Sequence, residues 1–145
     1  MQNKEVLIYT CKIQERIEAL GKLITKDYQD VDDILILGIL NGSFMFMSDL
    51  VKHINLKVKI DFLYANSYKG ELESINIVDI YHHNLESFEQ KNIILIDDIL
   101  DTGETLLSVL YELSKRNPKS VKTSVLIDKH ERRVKNIQPD YCGFR

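Results

Sequence analysis

The apolar positions of the chain follow two alternating rhythms. In "TCKIQERIEALGKLITKDYQD", Ile13, Ile17, Leu20 and Ile24 fall three or four residues apart. That is the spacing of one helix face, and Thr10 is its expected N-cap. "DDILILGIL", Asp32 to Leu40, is a short unbroken apolar run and predicts a buried parallel strand. Asn41-Gly42-Ser43 breaks it, and "SFMFMSDLVKHI" predicts a helix with Phe44, Met47 and Val51 on one side. "LKVKIDFLYANSY" alternates: Val58, Ile60 and Phe62 face one way and Lys57, Lys59 and Asp61 the other, a strand with one wet face. "KGELES" reads as a turn or mobile loop, "INIVDIY" as a strand pairing back in a hairpin, and "HHNLESFEQ" as polar and irregular. "NIILIDDILDTGETLLSVL" predicts a strand over Ile93 to Ile96 and a helix over roughly Gly103 to Arg116. Leu106, Leu110 and Leu113 line that helix's buried side, and Pro118 follows its end. "SVKTSVLIDK" is the next strand, and "QPDYCGF" begins one more.

Strands alternating with helices predict an α/β fold: a mostly parallel twisted sheet, helices on both faces and one antiparallel hairpin, with residues 1–145 as a single domain. Ligands of such sheets sit at the carboxyl ends of the strands. The three most unusual stretches all fall there: "LNGS", "DDILDTGET" and "IDKHERR".

Composition narrows the classes. A chain of 145 residues that is 44% hydrophobic and 28% charged can bury a core, so disorder is not expected. A net charge of −3 argues against broad nucleic-acid binding, yet leaves room for small phosphorylated ligands. Cys11 and Cys142 form no C-x-x-C pattern and read as reduced thiols of a cytoplasmic protein. The first residues lack a basic start followed by a long apolar run, so no signal peptide is expected. No apolar stretch approaches the ~20 residues of a membrane span.

Candidate chemistry concentrates in "DDILDTGET". Thr102-Gly103-Glu104-Thr105 lies between a strand and a helix, where free amides and the helix dipole favour an anion. Gly103 permits close backbone approach, and Thr102 and Thr105 add hydroxyl donors. One phosphate group fits such a turn. A Walker A loop is excluded, because the G-x-x-x-x-G-K-[ST] spacing is absent. Asp97 and Asp98 end the strand, pointing to opposite sides if it stays regular. Carboxylates beside a phosphate repel it unless they hold something between, and sugar hydroxyls and Mg²⁺ both suit. A ligand with a phosphate, a ribose and a metal-bound diphosphate accounts for the whole run. Asp101 then stands near the reacting end as a base or an electrostatic stabiliser.

Blander readings compete. Asp101 with Glu104 resembles a capping box, and Asp97-Asp98 resembles a solvated strand end; their union with Thr-Gly-x-Thr in one run disfavours both. Adjacent His82-His83 read as solvated loop rather than metal ligands, and "HERR" as a solvated loop or helix start. Phe44 to Met47 read as core or subunit interface.

"IILIDDILDTGETL" resembles the phosphoribosyl-diphosphate motif of type I phosphoribosyltransferases, and within them the chain most resembles the hypoxanthine-guanine phosphoribosyltransferases. "LGILNGSFMFMSDLVKHI" is similar to the family's diphosphate loop and following helix, "DFLYANSY" to the strand entering its mobile loop, and "SVLIDK" and "PDYCGF" to its purine-side segments. The resemblance implies attack of a 6-oxopurine on C1 of 5-phosphoribosyl diphosphate, with Mg²⁺, giving IMP or GMP and diphosphate. It places Asp97 and Asp98 at the ribose hydroxyls and the metal, and Asp101 as proton acceptor near purine N7. It places Asp101, Thr102, Gly103, Glu104 and Thr105 around the 5′-phosphate, Lys129 at the purine 6-oxo group, Ser67 and Tyr68 in the closing loop, and Asn41 and Gly42 in the diphosphate loop. A homodimer or homotetramer is expected, with no nucleic-acid or membrane partner.

The sequence departs from the family in three places. Asn41 stands where lysine is frequent, and Glu104 occupies a variable position. The family usually continues past the "PDYCGF" region with an aromatic that stacks on the purine, an acid near a second metal and an arginine for diphosphate. The expectation is therefore a C-terminally short chain. Two alternatives stay open: a catalytically impaired or non-catalytic phosphoribosyl-diphosphate or nucleotide-binding module, and, more weakly, a phospho-acceptor receiver domain.

Overall fold

The computed structural model describes residues 5–69, 76–82 and 87–145; for residues 66–69 and 76–82 it describes the backbone course alone. The order is α1 (Thr10–Asp27), β1 (Ile34–Leu40), α2 (Phe44–Val51), β2 (Val58–Lys69), β3 (Asn76–His82), β4 (Asn92–Leu100), α3 (Glu104–Ser114), β5 (Ser120–Asp128), a 3-10 turn (His130–Arg132) and β6 (Tyr141–Phe144). The six strands form one sheet in the order β3-β2-β1-β4-β5-β6. Five run parallel, and β3 pairs antiparallel with β2, Leu63 opposite His82 through Lys69 opposite Asn76. The expected α/β sheet and its hairpin are both present; "KGELES" lies outside the described residues apart from Lys69.

Two apolar layers hold the sheet. On one face Ile17, Leu20 and Ile24 of α1 and Phe46, Met47 and Leu50 of α2 pack over Ile34, Ile36, Ile94 and Ile96. On the other, Leu106, Val109 and Leu113 of α3 cover Leu35, Leu37, Ile93 and Leu95. Successive strand residues point to opposite faces, so the unbroken run Ile93–Ile96 feeds both layers, each side chain fully buried. Full burial of one such side chain stabilises by about 1.5–3 kcal/mol, so these central strands fix the frame on which the loops are hung.

Several local expectations change. Tyr9, not Thr10, is the N-cap of α1, with no side-chain cap bond. The buried side of α2 is Phe46, Met47 and Leu50; Phe44 is 54% and Met45 72% exposed, because the helix starts one step out of phase with the pattern. Ile60 is exposed on a stretch of β2 that β3 does not reach, while Leu63 on the supposed wet side is buried in the second layer. The β4 strand extends to Leu100, past the apolar run, because β5 continues to pair with it. Val109 takes the centre of the α3 face, and Leu110 its edge. Phe88, within the polar "HHNLESFEQ", is 2% exposed and fills the second layer.

Candidate active site

β1 and β4 lie side by side, but their connections leave in opposite directions, through α2 on one face and α3 on the other. Their pairing stops at Gly38 opposite Ile96. β1 then continues only with β2, to Leu40 opposite Tyr64, and β4 only with β5. The strands part at the topological switch point, where a crevice opens. A cavity of about 270 Å³ lies there, between Gly42 on the β1 side and Asp97, Asp98, Asp101, Thr102, Gly103 and Thr105 on the β4 side.

Both acids of the pair line this one cavity rather than opposite faces, because beyond Ile96 β4 has lost its neighbour on the β1 side. The Asp97 carboxylate accepts the Asp98 amide at 3.0 Å, and the Asp98 carboxylate accepts the Ile99 amide at 2.9 Å. Burial, and then the negative charge of Asp98, push Asp97 up to about 7. Among the described residues no group of three or more His, Cys, Asp or Glu could hold a metal by itself. Two adjacent carboxylates on one cavity wall fit Mg²⁺, which takes one or two carboxylates and completes its shell with water and substrate phosphate.

The turn between β4 and α3 is not built as a capping box. The N-cap of α3 is Gly103, in the left-handed conformation (φ +88°), with no side-chain cap bond. Glu104 donates its amide to Thr102 Oγ1 at 3.4 Å. The amides of Thr102, Gly103 and Thr105 donate to no protein group among the described residues. They are the orphan donors of a helix start. Asp101 Oδ1 is buried without a hydrogen bond, although Arg132 Nε stands 3.0 Å away, misaligned.

Gly42, Asp97, Asp98, Asp101, Thr102, Gly103 and Thr105 thus come together, and the apolar walls Ile39, Leu40, Ala65 and Leu106 were not anticipated. Asn41, Glu104 and Lys129 stand off the cavity wall. Lys129 follows β5 with its side chain exposed, and its amide bonds to the Leu100 carbonyl at 2.9 Å. The side chains of Ser67 and Tyr68, within β2, lie outside the described residues, as does His83. Sequence reasoning missed Arg133 and Asp128. "HERR" is a 3-10 turn with exposed His130, Glu131 and Arg132, but Arg133 is turned inward. The available signal was an acid ending an apolar strand, five residues before an arginine doublet's second member.

A family model described as a phosphoribosyl transferase domain matches residues 11–145. The hypoxanthine-guanine phosphoribosyltransferase of Dictyostelium discoideum is 39% identical, over 98% of this chain and 81% of that one. The hypoxanthine phosphoribosyltransferase of Escherichia coli (strain K12) is 38% identical, over 97% and 79%. A solved hypoxanthine phosphoribosyltransferase of Staphylococcus aureus superposes with a TM-score of 0.88 at 42% identity, over 97% of this chain and 76% of that one. With a matching fold, a matching motif and relatives of this identity along nearly its whole length, the chain belongs to the phosphoribosyltransferase family, among the hypoxanthine-guanine phosphoribosyltransferases.

Proposed function

We propose that this chain is a purine-salvage enzyme that transfers the 5-phosphoribosyl group of phosphoribosyl diphosphate to a 6-oxopurine, hypoxanthine or guanine, giving IMP or GMP and diphosphate. The observation that carries this is the crevice between β1 and β4, where an acidic pair and residues with unpartnered amides line one cavity. An anion alone does not need the acids, and a metal alone does not need the amides.

The roles follow from the chemistry of each group. The amides and hydroxyls of Thr102 to Thr105 take the 5′-phosphate at the start of α3. Glu104, off the cavity wall in the first turn of the helix, suits the dipole without facing the phosphate. Asp97 and Asp98 accept from the ribose hydroxyls and would hold Mg²⁺, which when bound offsets charge on the departing diphosphate. Gly42 and Asn41 present the loop after β1 to that diphosphate. The transition state has oxocarbenium character by analogy with glycoside cleavage, and the carboxylates stabilise its positive charge. Asp101 accepts the purine proton near N7. Lys129, which offers donors only, selects a 6-oxo over a 6-amino purine. Ser67 and Tyr68 belong to the segment that closes over the diphosphate and keeps water out.

A non-catalytic binding module is not favoured, since the relatives carry the names of transferases and the chain retains Asp101 and Lys129. The exposed Phe44 and Met45 support a homo-oligomer, and the free thiols Cys11 and Cys142 suit the cytoplasm. No helix among the described residues is long and apolar enough to cross a membrane. The decisive experiment incubates the protein with phosphoribosyl diphosphate, Mg²⁺ and each of hypoxanthine, guanine, xanthine and adenine. Nucleotide from the 6-oxopurines is expected. No product from any base, alongside measurable binding of phosphoribosyl diphosphate, would overturn the enzyme reading.

A further inference from the structure

Behind the anion turn lies a clamp outside the cavity wall. Arg133 Nε donates to the Asp101 carbonyl at 3.0 Å, and its Nη1 donates to the Ile137 carbonyl at 2.6 Å. Its Nη2 reaches the Leu100 carbonyl at 3.5 Å and also bonds the carboxylate of Asp128. The Arg133 side chain is 11% exposed and that of Asp128 0%. The amides of Val134 and Lys135 donate to the Thr102 carbonyl at 3.0 and 3.1 Å. Gly103 packs on the same segment: a Cβ there would stand 2.7 Å from Ile137 Cγ2 and 3.1 Å from Arg133 Cδ.

These bonds hold the carbonyls of three consecutive residues, Leu100, Asp101 and Thr102, toward the 129–137 segment. In a trans peptide the N–H points opposite to the C=O. The amides of Thr102 and Gly103 are therefore turned away from the clamp, and both are among the donors without protein partners among the described residues. A charge as deeply buried as Asp128 is retained only when paired, and Arg133 offers the planar fork that spans a carboxylate and several carbonyls together.

We infer that Arg133, anchored by Asp128, is a positioning residue that sets the phosphate selectivity of the site by fixing the direction of the Thr102 and Gly103 amides. The inference rests on the proposed function for the identity of the anion, and its readout is binding, which needs no turnover. The test compares the affinities for inosine 5′-monophosphate and inosine, which differ by the phosphate alone. The proteins are the unaltered chain, Arg133→Gln, Arg133→Lys, Asp128→Asn and, as a control at the opposite end of the sheet, Tyr141→Phe, which removes a 2.9 Å bond to Asp27.

The ratio of the two affinities should fall between about tenfold and a hundredfold in Arg133→Gln. It should fall less in Asp128→Asn, recover partly in Arg133→Lys, and hold in Tyr141→Phe. In turnover, KM for phosphoribosyl diphosphate should rise while KM for the purine stays. Arg133→Lys keeps the test alive if Arg133→Gln does not fold. An unchanged ratio in folded Arg133 variants, or equal weakening of both ligands, would overturn the inference. Turnover of the unaltered protein reports separately on the proposed reaction.

Discussion

Gly42 lies directly against the carboxylate of Asp98: a Cβ at position 42 would stand 2.8 Å from both of its oxygens. Gly42 comes from the loop after β1 and Asp98 from β4, so that loop buttresses an acid of a neighbouring strand. The obstacle is the end of a short side chain rather than backbone, so it can yield. Gly42→Ala should therefore keep its thermal midpoint nearly unchanged and displace the carboxylate. The expected result is a raised Mg²⁺ requirement and a kcat/KM lowered by about tenfold or more. Melting curves and a Mg²⁺ titration of activity check this together; a large drop in stability with unaltered Mg²⁺ dependence would contradict it.

Asp97 makes the free protein sensitive to pH in an uncommon direction. Its folded pKa is pushed up to about 7 from an ordinary 3.8, by burial first and then by Asp98. Between those values the folded chain keeps a proton that the unfolded chain has released. Its contribution to stability is thus full below about pH 4 and lost as pH rises to about 7. Asp97→Asn cannot ionise, so its stability relative to wild type should be higher at about pH 8 than at about pH 4.5. Urea midpoints at both values decide; a gap that does not widen with pH refutes the assignment.

Asp101 is expected to matter to rate more than to fold. Its one ionic neighbour among the described residues, Arg132, is 66% exposed, and such pairs contribute ~0–1 kcal/mol. Asp101→Asn should lower kcat by about a hundredfold or more while affinity for phosphoribosyl diphosphate changes little. Single-turnover kinetics beside a direct binding measurement separates the two; equal loss of both would point to a structural role.

Gly103→Ala meets two costs at once. The position has φ +88°, and a Cβ would stand 2.7 Å from Ile137 Cγ2. Strain of this kind costs ~1–3 kcal/mol, and relief by turning the peptide would redirect the amides proposed to take the phosphate. Lower stability with weakened inosine 5′-monophosphate binding is the expected outcome, measured by denaturation and calorimetry. Affinity kept at wild-type strength would show that the turn tolerates a side chain.

Removal of Asp128 should be the most damaging change away from the cavity. Asp128→Ala leaves the Arg133 guanidinium, 11% exposed, without its counter-charge. Breaking a buried pair by deleting one partner costs about 3–5 kcal/mol. The double variant Asp128→Ala/Arg133→Met should recover part of the loss, since it removes the buried one of the two arginines, Arg133 and Arg145, that pair with Asp128. Failure of the double variant to recover any stability would argue that the pair is not the source of the cost.

Much of this was legible along the chain because its cause is local. Unbroken apolar runs such as Ile34 to Leu40 and Ile93 to Ile96 can be satisfied only by burial on both faces. The placement of Asp97 and Asp98 in the carboxyl-terminal half of a buried strand, with Thr102-Gly103 just beyond it, followed from the same rhythm, although β4 runs on to Leu100. Less legible was anything set by where a neighbour stops. The α2 phase shift that exposes Phe44, the burial of Phe88 and the exposure of Ile60 each depend on which element covers that point of the sheet.

The sequence by itself determined the alternation of strands and helices, the run of acids and the glycine turn before α3, since these need only spacing and residue type. The tertiary structure alone decided that both acids face one cavity, because β1 leaves β4 at Ile96. It alone brought Gly42 onto Asp98 and turned Arg133 inward onto Asp128. Contacts between residues far apart along the chain exist only once the sheet has set its order, and charge in a low-dielectric interior is read from its partners rather than from its position.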